Sequence, residues 1–306
     1  VFTSSYDPEL TSGWGVRLYN WDFGASVTRE VLPRVSAEVG YFRRIYGNFN
    51  VVDNRAVSAS DYTPFSVRAP VDPRLPSSGE VISGYYDVVP EKFGLVDNLT
   101  TLAKNYGKQT EHWNGVDVTV NARTSNGIMI QGGLSTGHQQ TDFCDVQDPA
   151  KAGNSALLEM LATANTSLKS CHMDQNWLPQ VKFLGSYTIP KIDVQLGASF
   201  QSIPGIEYAA IYSAPNSDVS RPASQGGLGR LPSGGTAQGT TNVNLIPPGS
   251  TYGPRFNQID MRLGKVVRFS NRKAVVSLDL SNILNDDTIA SAASAYNTQW
   301  LAPTAV

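Results

Sequence analysis

The chain has 306 residues, of which 41% are hydrophobic and 16% are charged, and its formal net charge is −2. A charged fraction below the roughly 25% of soluble domains argues against an ordinary soluble surface, and the basic footprint of a nucleic-acid partner is missing. No apolar run approaches the about 20 residues of a spanning helix, so any membrane crossing must be made by strands.

Alternating apolar and polar residues predict four hairpins. They span about residues 19–45, 112–134, 177–201 and 255–284, with turns near 32–34, 125–127, 190–191 and 270–272. The second turn contains Asn126-Gly127, a strong hairpin signal. Strict alternation over about ten residues predicts a strand, and this length suits a tilted membrane strand.

Long polar segments separate the hairpins, at about 47–111, 135–176 and 202–254. Short turns at one end and long loops at the other are typical of outer-membrane barrels. The predicted fold is therefore all-β: part of an antiparallel up-and-down transmembrane β-barrel, with tight periplasmic turns and long extracellular loops. A lipid bilayer, or detergent in its place, is the expected partner.

Two sets of side chains fit such a barrel. Aromatic residues near the long-loop ends of the strands predict an interfacial girdle of Trp21, Tyr46, Trp113, Trp177 and Phe200; ordinary core aromatics are the alternative. Polar residues of the alternating strands predict a lumen lined by Asp117, Arg123, Lys182, Asp193, Asp260, Arg262 and Asp279, which would hold a plug or tune passage. Mutual charge pairing inside the barrel is the alternative for this second set.

The second long loop contains both cysteines. Cys144 and Cys171 predict a disulfide, which fits an oxidising compartment, and two free thiols are the alternative. Asp142, Asp145 and Asp148 recur beside Cys144 and form a weak Ca²⁺ candidate, for which a solvated acidic loop is the alternative. The three histidines are scattered in sequence, so no zinc site and no cofactor are expected.

One motif suggests catalysis. Gly133-Leu134-Ser135-Thr136-Gly137 matches the G-x-S-x-G pattern of a hydrolase elbow, with His138, His112 or His172 as the base. The elbow requires a strand, a sharp turn and a helix, whereas the residues after Gly137 do not read as helical. A Gly-rich strand entering a loop is the alternative.

Several segments resemble the C-terminal barrel half of TonB-dependent outer-membrane receptors, in particular the carboxypeptidase-regulatory-like group common in Acidobacteria. They include YGKQTEHWNGVDVTVNAR, SYTIPKIDVQLGASFQSIPG and VNLIPPGSTYGPRFNQIDMRLGKVVRFSNRKAVVSLDLSNILN. The last segment carries two blocks similar to that group, which are Arg255, Asn257, Gln258 and Asp260, then Asp279, Leu280, Asn282 and Asn285.

The resemblance implies uptake of a substrate across the bacterial outer membrane without catalysis, with TonB and a plug domain as partners. It also implies a plug before the barrel and a last strand ending on an aromatic residue. Neither is found in this sequence, so the chain is expected to be one barrel segment, truncated at both ends. Siderophore, glycan and peptide substrates all remain open. A surface or secreted serine hydrolase and a surface binding or adhesion module are the alternative functions.

Overall fold

Strands dominate the residues that the computed structural model describes, which are 3–147, 167–270 and 272–305. The strands are β1 (Thr3–Tyr6), β2 (Tyr19–Leu32), β3 (Val35–Gly47), β4 (Asn50–Asn54), β5 (Tyr62–Arg68), β6 (Val81–Val88), β7 (Asp97–Leu102), β8 (Thr110–Arg123), β9 (Ile128–Asp142), β10 (His172–Asp174), β11 (Gln180–Ile189), β12 (Val194–Ile203), β13 (Ile211–Pro215), β14 (Thr240–Asn244), β15 (Phe256–Phe269), β16 (Arg272–Leu280), β17 (Ser291–Ala292), β18 (Ala295–Tyr296) and β19 (Pro303–Ala305).

Helical structure is confined to single turns. The α-helices of the described residues are α1 (Pro8–Thr11), α2 (Cys144–Gln147) and α3 (Asn216–Val219). Short 3₁₀ turns lie at Ala59–Asp61, Pro90–Lys92, Ala103–Asn105, Leu168–Ser170 and Ala223–Gln225. In these parts of the chain, none of the helices combines the length and apolar character that a membrane span needs.

The largest sheet contains the strands of all four predicted hairpins. Its order is β16–β15–β12–β11–β9–β8–β3–β2, with β10 paired to β9 outside that path. Every pairing in it is antiparallel, so the prediction of an all-β antiparallel fold is confirmed. Within the described residues this sheet is open, because β2 and β16 each pair on one side only.

The tight turns between paired strands follow from local chemistry. Pro33 leads into Arg34, whose φ is 68° and whose N–H donates to Glu30 Oε1 at 2.7 Å. Gly127 has a φ of 84°, where the absence of Cβ avoids a clash, and its N–H donates to the Thr124 carbonyl at 3.2 Å. Both turns reverse the chain within a few residues.

The described parts of the segments predicted to be long polar loops contain further paired strands, which corrects that prediction. β5 pairs with β6, β13 lies between β14 and β18, β17 pairs with β19, and β7 lies between β1 and β4. These strands and the segments joining them, named the cap below, connect the strand ends opposite the tight turns. The predicted loop at 135–176 also starts too early, because β9 continues to Asp142.

The main hydrophobic core of the described residues lies in the cap. Its buried side chains come from distant parts of the chain: Phe65, Val67, Ala69, Leu75, Tyr85, Ala210, Ala214, Val219, Leu228, Val243, Leu245, Ile246 and Trp300. Trp300 is 2% exposed, its Nε1 donates to the Ala209 carbonyl at 2.9 Å, and the Arg74 guanidinium lies 5.2 Å from its ring centroid. Side chains from the first and third predicted loops and from the tail therefore form one packed unit.

Candidate functional site

Strand register sorts the side chains of the large sheet onto two faces. Directly opposite residues share a face, and the face alternates along each strand. Val39 lies opposite Val27 and Val118, Val118 lies opposite Leu134, and Leu134 lies opposite Val181. We name this side the apolar face and the other side the polar face.

The apolar face is uncovered among the described residues. Its exposed large hydrophobic side chains are Trp21, Phe23, Val27, Val39, Tyr41, Ile130, Phe183, Leu196, Met261, Leu263, Val276, Leu278 and Leu280. Val27 is 73% exposed and Val276 is 68% exposed, at the two edges of the sheet. Soluble monomers rarely expose contiguous apolar patches larger than a few hundred Å². The large sheet therefore presents a broad exposed apolar surface within the described residues.

The polar face carries most of the residues predicted to line a lumen. Register assigns to it Asp117, Arg123, Lys182, Asp260, Arg262 and Asp279. Both Asp279 oxygens accept from the Arg262 guanidinium. Asp193 lies in the third turn and accepts from Arg268 at 2.9 and 3.1 Å. Among the predicted lumen residues, Arg262 and Asp279 pair with each other, as in the alternative of mutual pairing, whereas Asp193 pairs with a residue outside that set.

A groove of about 680 Å³ lies on the polar face where β8 and β9 meet β3 and β2. Its lining includes Asp22, Arg44, Tyr46, Trp113, Asp117, Ser135 and Gln139. Trp113 lies over Gly115 and Gly137, because a Cβ added to them would fall 2.0 and 2.5 Å from atoms of the Trp113 ring. Glycine at both positions is thus what lets the indole lie flat against the sheet.

Hydrogen bonds fix the polar side chains around Trp113. Arg44 and Asp22 form an ion pair, and an Arg44 N–H also donates to the Tyr46 hydroxyl oxygen at 3.4 Å. Ser135 Oγ donates to Asp117 Oδ1 at 2.6 Å. The hydrogen-bonding groups that line the groove, both donors and acceptors, are therefore held in place by one another.

The residues predicted to form one aromatic girdle lie on both faces of the sheet. Trp21 lies opposite Ile45 on the apolar face, and Phe200 lies opposite Phe183 on the same face. Trp113 instead lies opposite Arg44 and Tyr46 lies opposite Asn20, so both belong to the polar face. Since a girdle requires its aromatics on one face of the strands, Trp113 and Tyr46 do not share one with Trp21 and Phe200. Trp177 precedes β11 and stacks on His138 at 5.4 Å, and His138 is on the apolar face.

Ser135 does not have the geometry of a hydrolase nucleophile. It lies within β9, which continues to Asp142, so the sharp turn and helix of an elbow are missing. Ser135 is on the polar face and hydrogen-bonds Asp117, whereas register puts His112, His138 and His172 on the opposite face. No described histidine is therefore directed at this hydroxyl.

The predicted disulfide is present between Cys144 and Cys171, whose Cα atoms are 4.8 Å apart. The weak Ca²⁺ candidate beside it is not supported. Asp142 accepts from the Cys144 N–H at 3.1 Å and contacts His172 Nδ1 at 3.0 Å, and Asp148 lies outside the described residues. Across the described residues, no group of three or more His, Cys, Asp or Glu side chains could hold a metal ion.

The histidines, scattered in sequence, come together in the fold. β10 pairs with β9, which sets His172 against Asp142 and Asp174 opposite Gln140, and His138 contacts Asp174. On the other side of β9, His112 of β8 lies opposite Gln140. The predicted disulfide already implied that Asp142 and Asp174 lie close together, but sequence reasoning missed the contact of His138 with Asp174, because it depends on the β9–β10 pairing.

Electrostatic shifts in the cap reflect burial and pairing. Burial raises the pKa of Asp53 above its ordinary value, and the Tyr106 hydroxyl, which donates to Asp53 Oδ2 at 3.0 Å, opposes that shift. Burial, with this hydrogen bond, raises the pKa of Tyr106 to about 12. The Arg74 guanidinium lowers the pKa of Asp72 far below its usual range. Asp53, Asp72 and Tyr106 belong to the cap, and none of them lines the groove around Trp113.

The chain matches no protein-family model and no curated protein.

Proposed function

We propose that this chain forms part of the wall of a β-barrel in the bacterial outer membrane, within a TonB-dependent receptor that takes up a small or oligomeric substrate. The single observation that carries the proposal is the two-faced large sheet, with an uncovered apolar face and a hydrogen-bonded polar face. In this proposal lipid covers the apolar face, and the polar face lines the lumen.

The height of the apolar face approaches that of a membrane barrel. On β3 it runs from Val35 to Tyr41, and on β11 from Val181 to Ile189. At roughly 3.3 Å per residue these spans measure about 20 and about 26 Å along the strands. A strand tilt of about 40° shortens them to about 15 and about 20 Å along the membrane normal, whereas outer-membrane barrels carry an outward apolar band about 25 Å tall. The apolar face therefore supplies more than half of the height of such a band.

A soluble β-sandwich fits these observations less well. In a sandwich, a second sheet packs about 10 Å away on the apolar face of the first. None of the buried core clusters among the described residues includes a strand residue of the large sheet. The cap packs against itself, which leaves the apolar face available to lipid.

The two ends of the sheet give the orientation. Barrels of the outer membrane have short periplasmic turns and long extracellular segments, so the cap would be extracellular. A lipid-exposed sheet edge leaves N–H and C=O groups unsatisfied, and the free sides of β2 and β16 therefore need strand partners in the membrane. Energy coupling through TonB and gating by a plug are taken from the sequence resemblance alone.

Site-directed labelling tests the proposal at two neighbouring positions. Val39 and Glu38 are adjacent on β3 and belong to opposite faces. In the chain refolded into phospholipid vesicles, Val39→Cys should resist a charged, membrane-impermeant maleimide, whereas Glu38→Cys should react. Both native cysteines are held in the disulfide, so the added thiol is the reactive one.

The matched control is the same pair of variants denatured in urea, where both thiols should react. Equal reaction of the two positions in folded, vesicle-bound protein would contradict the proposal. Equal reaction in a chain that stays folded without lipid would favour a surface binding module instead.

A further inference from the structure

We propose that the polar-face groove around Trp113 binds an uncharged, polyhydroxylated chain, that is, a neutral oligosaccharide. The inference rests on the proposed function for the route by which ligand reaches the groove, and it adds the chemical class of that ligand. Trp113 is the stacking platform, and the side chains next to it on β2, β3, β8 and β9 supply hydrogen bonds.

The indole is presented as a flat surface. Trp113 covers Gly115 and Gly137, Gly115 is buried beneath it, and the ring lines the groove. A tryptophan offers a large rigid apolar surface together with one N–H donor. The C–H-rich side of a pyranose ring has a matching flat shape, so a sugar can stack on the indole.

The groove continues along the strands as a track. The groove at Trp113 shares Asp117 and Ser135 with a second groove, and the second shares Asn121 and Gln131 with a third. From Trp113 to Asn121 on β8 the track covers eight residue steps, which is about 26 Å at roughly 3.3 Å per step. A track of this length suits an extended chain better than a single small molecule.

Each section of the track carries charges of both signs. Asp22 is paired with Arg44 in the first groove, Asp117 and Lys182 line the second, and the third is lined by Glu30, Arg34 and Arg123. A ligand carrying several charges of one sign would therefore meet a repulsive group in every section. Hydroxyl groups both donate and accept hydrogen bonds, so they suit a lining that mixes carboxylate, amide, guanidinium and hydroxyl groups.

Titration calorimetry on the full chain in detergent micelles tests the inference. The ligands are cellohexaose, maltohexaose and xylohexaose, with hexagalacturonate and hexalysine as charged hexamers. We expect at least one neutral hexasaccharide to bind, Trp113→Ala to weaken it at least about tenfold, and Trp113→Phe to retain most of the affinity because it keeps a ring. Trp177→Ala is the matched control and should leave binding unchanged.

Three results would overturn the inference: no binding by any neutral hexasaccharide, binding that Trp113→Ala does not weaken, or tighter binding of a charged hexamer. Binding of hexalysine alone would identify the groove as a site for a basic peptide. Failure here is separable from failure of the proposed function, because the Val39 and Glu38 labelling reads insertion without any ligand.

Discussion

The large sheet and the cap differ in how far their apolar side chains are exposed. The cap buries them against one another, as at Trp300, which is 2% exposed. The sheet leaves them outside, as at Val27, which is 73% exposed. A single chain therefore contains one region that carries its own core and another whose apolar side chains are exposed within the described residues. Removal of apolar surface from water stabilises the first, and in the proposed function lipid covers the apolar face of the second.

The largest expected effect tests the cap core with two tryptophans in contrasting positions. Trp300→Ala should lower the free energy of unfolding of the cap by about 3–5 kcal/mol, since it removes a buried aromatic side chain and leaves a cavity. Trp14 is fully exposed, so Trp14→Ala should change it by less than about 0.5 kcal/mol. Hydrogen exchange of cap amides measures both, and similar losses would contradict a packed core around Trp300.

The second effect tests the environment of the sheet. Val39→Arg places a charge on the apolar face and should reduce the free energy of folding into vesicles by about 2–4 kcal/mol, as a cation near the bilayer midplane does. Thr119→Arg, on the exposed polar face, is the control and should cost far less. Urea titrations in vesicles give both values. Comparable values would mean that water covers both faces.

The disulfide closes the segment between β9 and β10, from which Val146 and Leu168 pack against side chains of the cap, and its removal gives the third effect. Cys144 follows β9, and Cys171, 27 residues later, precedes β10. Replacing both cysteines with serine should lower cap stability by about 2 kcal/mol, the low end of the usual range, because the contact between His172 and Asp142 still holds the strands together. Thermal unfolding with and without reductant measures the loss. An unchanged sheet transition is expected, and a collapse of both transitions would show that the regions unfold as one.

The smallest effect is a pH dependence within the cap. Burial raises the pKa of Asp53, so its folded form favours the proton, and stability is lost as pH rises through that raised pKa. Asp53→Asn keeps an acceptor for the Tyr106 hydroxyl and removes the charge. The variant should therefore be more stable than the natural chain at pH 7, with the difference shrinking toward the unfolded pKa of about 3.9. The free energy of unfolding of both proteins, measured at a series of pH values from roughly 3.5 to roughly 7.5, checks the sign of the effect.

The strands of the large sheet were predictable because alternation is a local property. Val116, Val118, Val120 and Ala122 specify a strand and its apolar face without knowledge of any partner. The same count also specifies the face of Trp113, which lies an odd number of positions before Val116. The girdle prediction considered only where Trp113 falls near the strand end, and the polar-face groove was missed for that reason.

The cap was not predictable by these means. Its core forms from contacts such as Ser66 Oγ to the Gly226 carbonyl at 2.9 Å and the Tyr85 hydroxyl to the Asn244 carbonyl at 3.0 Å. Each joins segments that look like polar loops when taken alone. Composition rich in glycine, proline and serine predicts turns and carries no information about which distant turns pack together.

The wide separation of cap contacts has a consequence for the order of folding. An Arg74 N–H donates to the Trp300 carbonyl across 226 positions of sequence, while each hairpin of the large sheet closes over a turn of a few residues. Closing long loops is entropically slow, and local pairings form first. The cap is therefore expected to assemble last, after the hairpins have brought its segments to the same end of the sheet. If one hairpin were misplaced, the cap segments that it positions could not pack into this core. A completely folded cap would therefore imply that the hairpins had formed.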